Sequence, residues 1–94
     1  MTRFLLVAGA VNGFLGVALG AFGAHGLRGR VPENLVTVFQ TGVQYHLVHA
    51  LALLLAGVMA GMALGRPALL HWSGMLFLAG IVLFSGSLYL LAVT

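Results

Sequence analysis

Three long apolar stretches dominate the chain. The first, FLLVAGAVNGFLGVALGAFGA at residues 4–24, is broken by a single polar side chain, Asn12. The second, residues 43–65, places Gln44, Tyr45, His46 and His49 near its start and then runs apolar through LALLLAGVMAGMALG. The third, residues 68–92, holds His71, Ser73, Ser85 and Ser87 among apolar neighbours. A helix needs about 20 residues to cross the hydrocarbon core, and each stretch is that long. A spanning segment must satisfy its backbone hydrogen bonds internally, so all three are predicted to be helices. No alternating strand pattern competes. The expected fold is an all-α membrane protein forming one transmembrane domain over residues 1–94.

At 100° per residue, Gly9, Gly13, Gly16, Gly20 and Gly23 fall within an arc of about 80° on the first span. In lipid, small residues let two helix backbones approach closely, so this stripe predicts a packing groove. Gly57, Gly61 and Gly65 repeat the pattern at four-residue spacing on the second span. Gly74, Gly80 and Gly86 share no face, and no groove is predicted on the third. The first groove is expected to lie open and to ask for a partner helix.

Between the first two spans, RVPENLVTVFQTGVQY reads as an amphipathic helix over about 32–42. Pro32 suits a helix start, and Glu33 lies where the helix dipole favours an acid. Leu35, Val36, Val38, Phe39 and Val43 gather on one side, with Asn34, Thr37, Gln40, Thr41 and Gln44 opposite. Such a helix is expected to lie in the membrane interface before the chain turns inward at Gly42. Residues 65–67, GRP, predict a tight hairpin into the third span. The last span ends LYLLAVT with no charged or interfacial flank, so the natural chain is expected to continue past Thr94.

Composition agrees with a membrane address. Of 94 residues 62% are hydrophobic, and the charged side chains are four arginines and one glutamate. A soluble domain carries about a quarter charged residues and could not clothe its surface with so few. Four scattered arginines are no nucleic-acid footprint. They are placed to anchor at headgroups, with Arg3 and Arg66 on one side and Arg28 and Arg30 on the other. The absence of cysteine excludes disulfides and thiolate metal sites. A cleaved signal peptide is the rival for the first span, but its apolar core is longer than such signals use.

Three segments, GAFGAHGL at 20–27, TGVQYHLVHALAL at 41–53 and LFSGSLYLL at 83–91, together resemble a family of bacterial inner-membrane proteins known as domain of unknown function 423. The resemblance implies a four-helix protein with both ends in the cytoplasm, of which this sequence lacks the last helix. It puts the N-terminus and Arg66 in the cytoplasm and the loop of Arg28 and Arg30 outside. It touches His25, Thr41, Gly42, Tyr45, His49, Ser85, Gly86, Ser87 and Tyr89. His46 departs from the pattern, since relatives commonly carry glutamine there. The family has no assigned activity, so the resemblance implies a protein type and leaves function open.

Polar groups at membrane depth are costly unless paired, which makes each a functional candidate. If the first two spans are antiparallel neighbours, His25, Tyr45 and His49 share one level near a membrane face. The third span would bring Ser85, Ser87 and Tyr89 to it. Together with Thr41, these residues predict an interhelical polar clasp centred on His25; separately, Asn12 is expected to hydrogen-bond across a helix interface. The alternative is a haem or other cofactor held by His25 and His49, or a small-solute conduit built on them, and a metal site on His25, His46 and His49 ranks below the haem. The expectation is no bound cofactor and no metal. Glu33 is the only carboxylate side chain, so no nucleophile–base–acid set can be assembled and no enzyme is expected. The expected role is helix–helix association in the bacterial inner membrane, as a homo-oligomer or as a small accessory subunit of a larger complex. Expected partners are membrane lipid and other membrane subunits or a second copy, with no nucleic acid.

Overall fold

The computed structural model describes residues 2–94, and it consists of three helices. Helix α1 covers Thr2–His25, α2 covers Glu33–Gly61 and α3 covers Pro67–Val93. All three are long and apolar enough to cross a membrane. Helix α3 contains a π-helical turn at Ile81–Ser85. The Cα envelope measures 48 × 18 × 14 Å. Its long dimension matches a bilayer with its interfacial regions, about 40–45 Å.

The middle position belongs to α2. Its buried residues include Val36, Phe39, Val43, His46, Ala50, Leu53 and Gly57, recurring at three- and four-residue intervals. That spacing keeps one stripe of the helix turned inward. Two apolar clusters form along it. Leu27, Val36, Phe39, Val43 and Ala92 make one, and Leu5, Leu53, Ala56 and Ile81 make the other. His46 stands on the stripe between them.

The glycine stripe of α1 is the surface on which α2 seats. A Cβ on Gly9 would lie 2.9 Å from the Leu54 backbone nitrogen, and one on Gly16 would lie 2.5 Å from Leu47 Cδ2. Gly20 faces Val43, and Gly23 faces Phe39 and Gln40. On α2, Gly57 receives Leu6 and Gly61 meets Thr2. The groove expected to lie open is therefore filled by the chain's own second helix. Gly13 is the exception, with no atom within 4 Å of where its Cβ would stand. Where no groove was expected, Gly74 of α3 takes the side chain of Leu5 from α1.

Three sequence expectations change. The amphipathic segment is helical, but no turn separates it from the second span, so residues 33–42 form the first turns of α2. Gly42 is buried inside that helix, and its missing Cβ admits the Tyr89 ring, whose Cε1 would stand 2.9 Å away. A mid-helix glycine can mark a hinge or a close approach, and here it marks the approach. Gln40, assigned to the outward polar face, instead donates to the Gly20 carbonyl of α1 at 3.2 Å. Finally, α2 ends at Gly61 rather than Gly65. Gly65 adopts φ +87° in the turn before Pro67, a conformation that suits glycine.

Candidate functional site

One buried polar side chain inside the bundle joins all three helices. His46, 3% exposed, projects from α2 between α1 and α3. Its Nδ1 lies 2.8 Å from the Tyr89 hydroxyl of α3, and its Nε2 lies 3.0 Å from Asn12 Oδ1 of α1. Asn12 Nδ2 donates to the Ala8 carbonyl at 2.8 Å, which leaves Oδ1 as the acceptor facing His46. An amide oxygen can only accept. Hence Nε2 of His46 carries the hydrogen and donates to Asn12, while bare Nδ1 accepts from the Tyr89 hydroxyl. The bonds run one way across the bundle, from Tyr89 to His46 to Asn12 to Ala8.

A second tie lies one turn along α3. Ser85, 1% exposed, sits at the end of the π turn and donates to the Gly42 carbonyl of α2 at 2.7 Å. A π turn inserts an extra residue into the helix and re-aims the side chains that follow. Here Ser85 and Tyr89 both meet α2, with the Tyr89 ring 4.8 Å from that of Phe39.

Ser85 and Tyr89 thus join helices, while the remaining members of the expected clasp make no hydrogen bond between helices among the described residues. Gly23 of α1 lies opposite Phe39 and Gln40, so His25 belongs at that level. His49 is ten residues beyond Phe39, about 15 Å deeper along α2. His25 is exposed and makes no hydrogen bond or ion pair among the described residues. The expectation failed because it assumed that the helix ends align, whereas α2 begins well before the level of His25. The same offset separates the two histidines of the haem alternative, and with them the three of the metal alternative.

The other candidates bond within their own helices. His49 Nδ1 donates to the Tyr45 carbonyl at 2.7 Å, and its ring rests edge-on to Phe77. Tyr45 is 47% exposed, with its ring against Phe84 rather than an imidazole. Thr41 donates to the Thr37 carbonyl and Ser87 to the Phe84 carbonyl, both local bonds. Losing such local or exposed groups costs little. His25→Ala, Thr41→Ala and Ser87→Ala are each expected to shift stability in detergent by less than about 0.5 kcal/mol. Ser85→Ala removes a bond between helices and is expected to cost about 0.6 kcal/mol, the average for such bonds in membranes. Thermal unfolding of the four variants checks the ranking.

His46 was the residue that sequence reasoning discounted, on account of its departure from the family pattern. A signal for it was nevertheless present. Positions 39, 43, 46, 50, 53 and 57 carry the inward period of α2, and His46 lies on that line while Tyr45 and His49 lie off it.

At the loop between α1 and α2, Arg28 bonds Glu33 at 2.7 Å, with both side chains more than half exposed. Exposed ion pairs contribute little, so this one orders the loop more than it stabilises the fold.

Comparison with known proteins places this arrangement in a family. Over 92 residues the chain is 49% identical to UPF0382 membrane protein YwdK of Bacillus subtilis, covering 98% of this chain and 74% of that protein. It is 40% identical to UPF0382 membrane protein SAB0533 of Staphylococcus aureus, covering 98% and 73%. It is 42% identical to UPF0382 inner membrane protein YgdD of Escherichia coli K12, over 99% of this chain and 70% of that protein. No solved structure matches the chain. With three spanning helices, relatives of this likeness and a family model matching residues 19–94, the chain belongs to the membrane-protein family described as Protein of unknown function (DUF423).

Proposed function

We propose that this protein is a non-enzymatic integral membrane protein that works through helix–helix association, with copies of itself or as a small accessory subunit of a larger membrane complex. One observation carries the reading: the bundle is a single layer. Helices α1 and α3 both lie on α2 and meet each other through Leu5 on Gly74, so their outer flanks stay free. Those flanks are apolar, with Val11, Phe14 and Val17 on α1 and Leu76, Val82 and Leu83 on α3 all half or more exposed. Gly13 adds a notch open to a neighbouring backbone. The buried polar side chains, His46 and Ser85, are both engaged in tying the chain's own helices together. What remains to meet another molecule is helix surface.

Counting subunits in lipid nanodiscs or by native mass spectrometry in mild detergent tests this. The expected result is a discrete oligomer or a stoichiometric second membrane protein, weakened by Gly13→Leu without loss of the folded monomer. A lone monomer under all mild conditions, unaffected by Gly13→Leu, would refute it.

A further inference from the structure

Gln44 is exposed on α2, and its side-chain amide makes no hydrogen bond among the described residues. It lies deep in the membrane. Arg3 and Arg28 bracket α1, Gly16 stands midway between them, and Gly16 receives Leu47 of α2. Gln44 is one turn from Leu47, about 4.5 Å along the axis. With a hydrocarbon half-thickness of about 15 Å, the nearer headgroups are about 10 Å away, beyond the reach of a glutamine side chain. Lipid tails offer neither donor nor acceptor, so an amide at this depth is costly unless protein meets it.

The fold sets this amide beside an open seam. Gln40 bonds the Gly20 carbonyl where α1 meets α2, while α3 lies against another side of α2 through Gly42. At 100° per residue Gln40, Leu51 and Gln44 fall within an arc of about 40° on α2, and Gly13 falls about 20° from Gly20 on α1. The seam therefore carries Gln44, the exposed Leu51 and the notch at Gly13, where nothing lies within 4 Å.

We propose that a second copy of this chain docks along this seam, with the Gln44 amides of the two copies bonded to each other across a two-fold axis along the membrane normal. This docking rests on the association reading above, with its partner and its surface now specified. Complementarity selects a second copy. An amide carries donor and acceptor together, so an identical amide satisfies both, N–H to carbonyl in each direction. Copies of one sequence insert the same way up, so in a two-fold pair each residue meets the partner surface at its own depth. The notch at Gly13 lets the neighbouring helix approach closely.

Cross-linking in native membranes tests the contact. The sequence has no cysteine, so Gln44→Cys introduces a single thiol, and oxidation reports whether two copies meet there. Tyr45→Cys is the control, because Tyr45 is about 100° from Gln44 around the helix and turns to Phe84 of α3. Dimer dissociation in mild detergent is measured beside it for wild type, Gln44→Leu and Tyr45→Phe. Gln44→Leu breaks no side-chain bond within the chain, and an unchanged thermal unfolding of the monomer verifies that it folds. The expected result is a disulfide-linked dimer from Gln44→Cys and none from Tyr45→Cys. Gln44→Leu is expected to raise the dissociation constant roughly sevenfold, the loss of two bonds of average strength in membranes, and Tyr45→Phe to leave it unchanged. An oligomer, or a complex with another membrane protein, that ignores Gln44→Leu and gives no Gln44→Cys cross-link would overturn the seam dimer and leave the association reading standing. A monomer under all mild conditions would overturn both.

Discussion

Leucine at Gly9 is expected to prevent α1 from seating on α2, whereas leucine at Gly13, one turn away on the same stripe, leaves the fold intact. The two positions look alike in sequence and differ in what they face. A Cβ on Gly9 would meet the Leu54 backbone nitrogen at 2.9 Å as well as the Leu54 side chain. Backbone cannot rotate aside, so the helices must separate along the contact. Overpacking of a close contact costs about 1–3 kcal/mol, and a collision with backbone belongs at the upper end or beyond. At Gly16 the collision is with Leu47, a side chain able to change rotamer, so the expected loss is smaller. At Gly13 nothing lies within 4 Å, and the expected loss of folding stability is below about 0.5 kcal/mol. Proteolytic protection and thermal unfolding in detergent would rank the three. Equal damage at Gly9 and Gly13 would mean that the α1–α2 contact is not the one described.

The second large effect belongs to His46→Leu. Leucine fills a similar volume but offers neither donor nor acceptor. The Tyr89 hydroxyl and Asn12 Oδ1 would then face each other across an apolar gap, between the cluster around Phe39 and the cluster around Leu53. An unsatisfied buried polar group costs about 1–3 kcal/mol. Within a membrane that figure shrinks, because the separated helices also find partners, and measured bonds there average about 0.6 kcal/mol. With two groups orphaned, a loss of about 2 kcal/mol is expected, against less than about 0.5 kcal/mol for His46→Gln, which keeps both bonds. The contrast between leucine and glutamine separates loss of hydrogen bonding from loss of volume.

The spans and the glycine contact were legible in the sequence because each rests on a local property. Twenty apolar residues need a membrane, and glycines at 9, 16, 20 and 23 can share a face only on a helix. Helix register was not legible. It is set by which residue of α2 drops into which glycine notch, Leu47 at Gly16 and Phe39 at Gly23, and nothing local encodes that pairing. That single unknown moved His25 about 15 Å from His49 and put His46 at the centre instead. The π turn was equally hidden, since IVLFS carries no residue type that demands it. Asn12 was readable as a bond across an interface, and its partner was not. Gly42 shows the ambiguity most plainly. Read as a hinge, it ended a helix; in the fold it is the flat spot on which Tyr89 lies.

The central claim is that one histidine ties three helices, with bonds to Asn12 on one side and Tyr89 on the other. Double-mutant cycles measure it most directly, pairing His46→Leu with Asn12→Ala and with Tyr89→Phe, beside a control pairing His25→Ala with Tyr45→Phe, all read by thermal unfolding in detergent. Interacting pairs in membrane proteins couple by about 0.6 kcal/mol on average and up to about 1.7 kcal/mol. The account predicts coupling of that size for both His46 pairs and none for the control. Coupling in the His25–Tyr45 pair with none at His46 would contradict it.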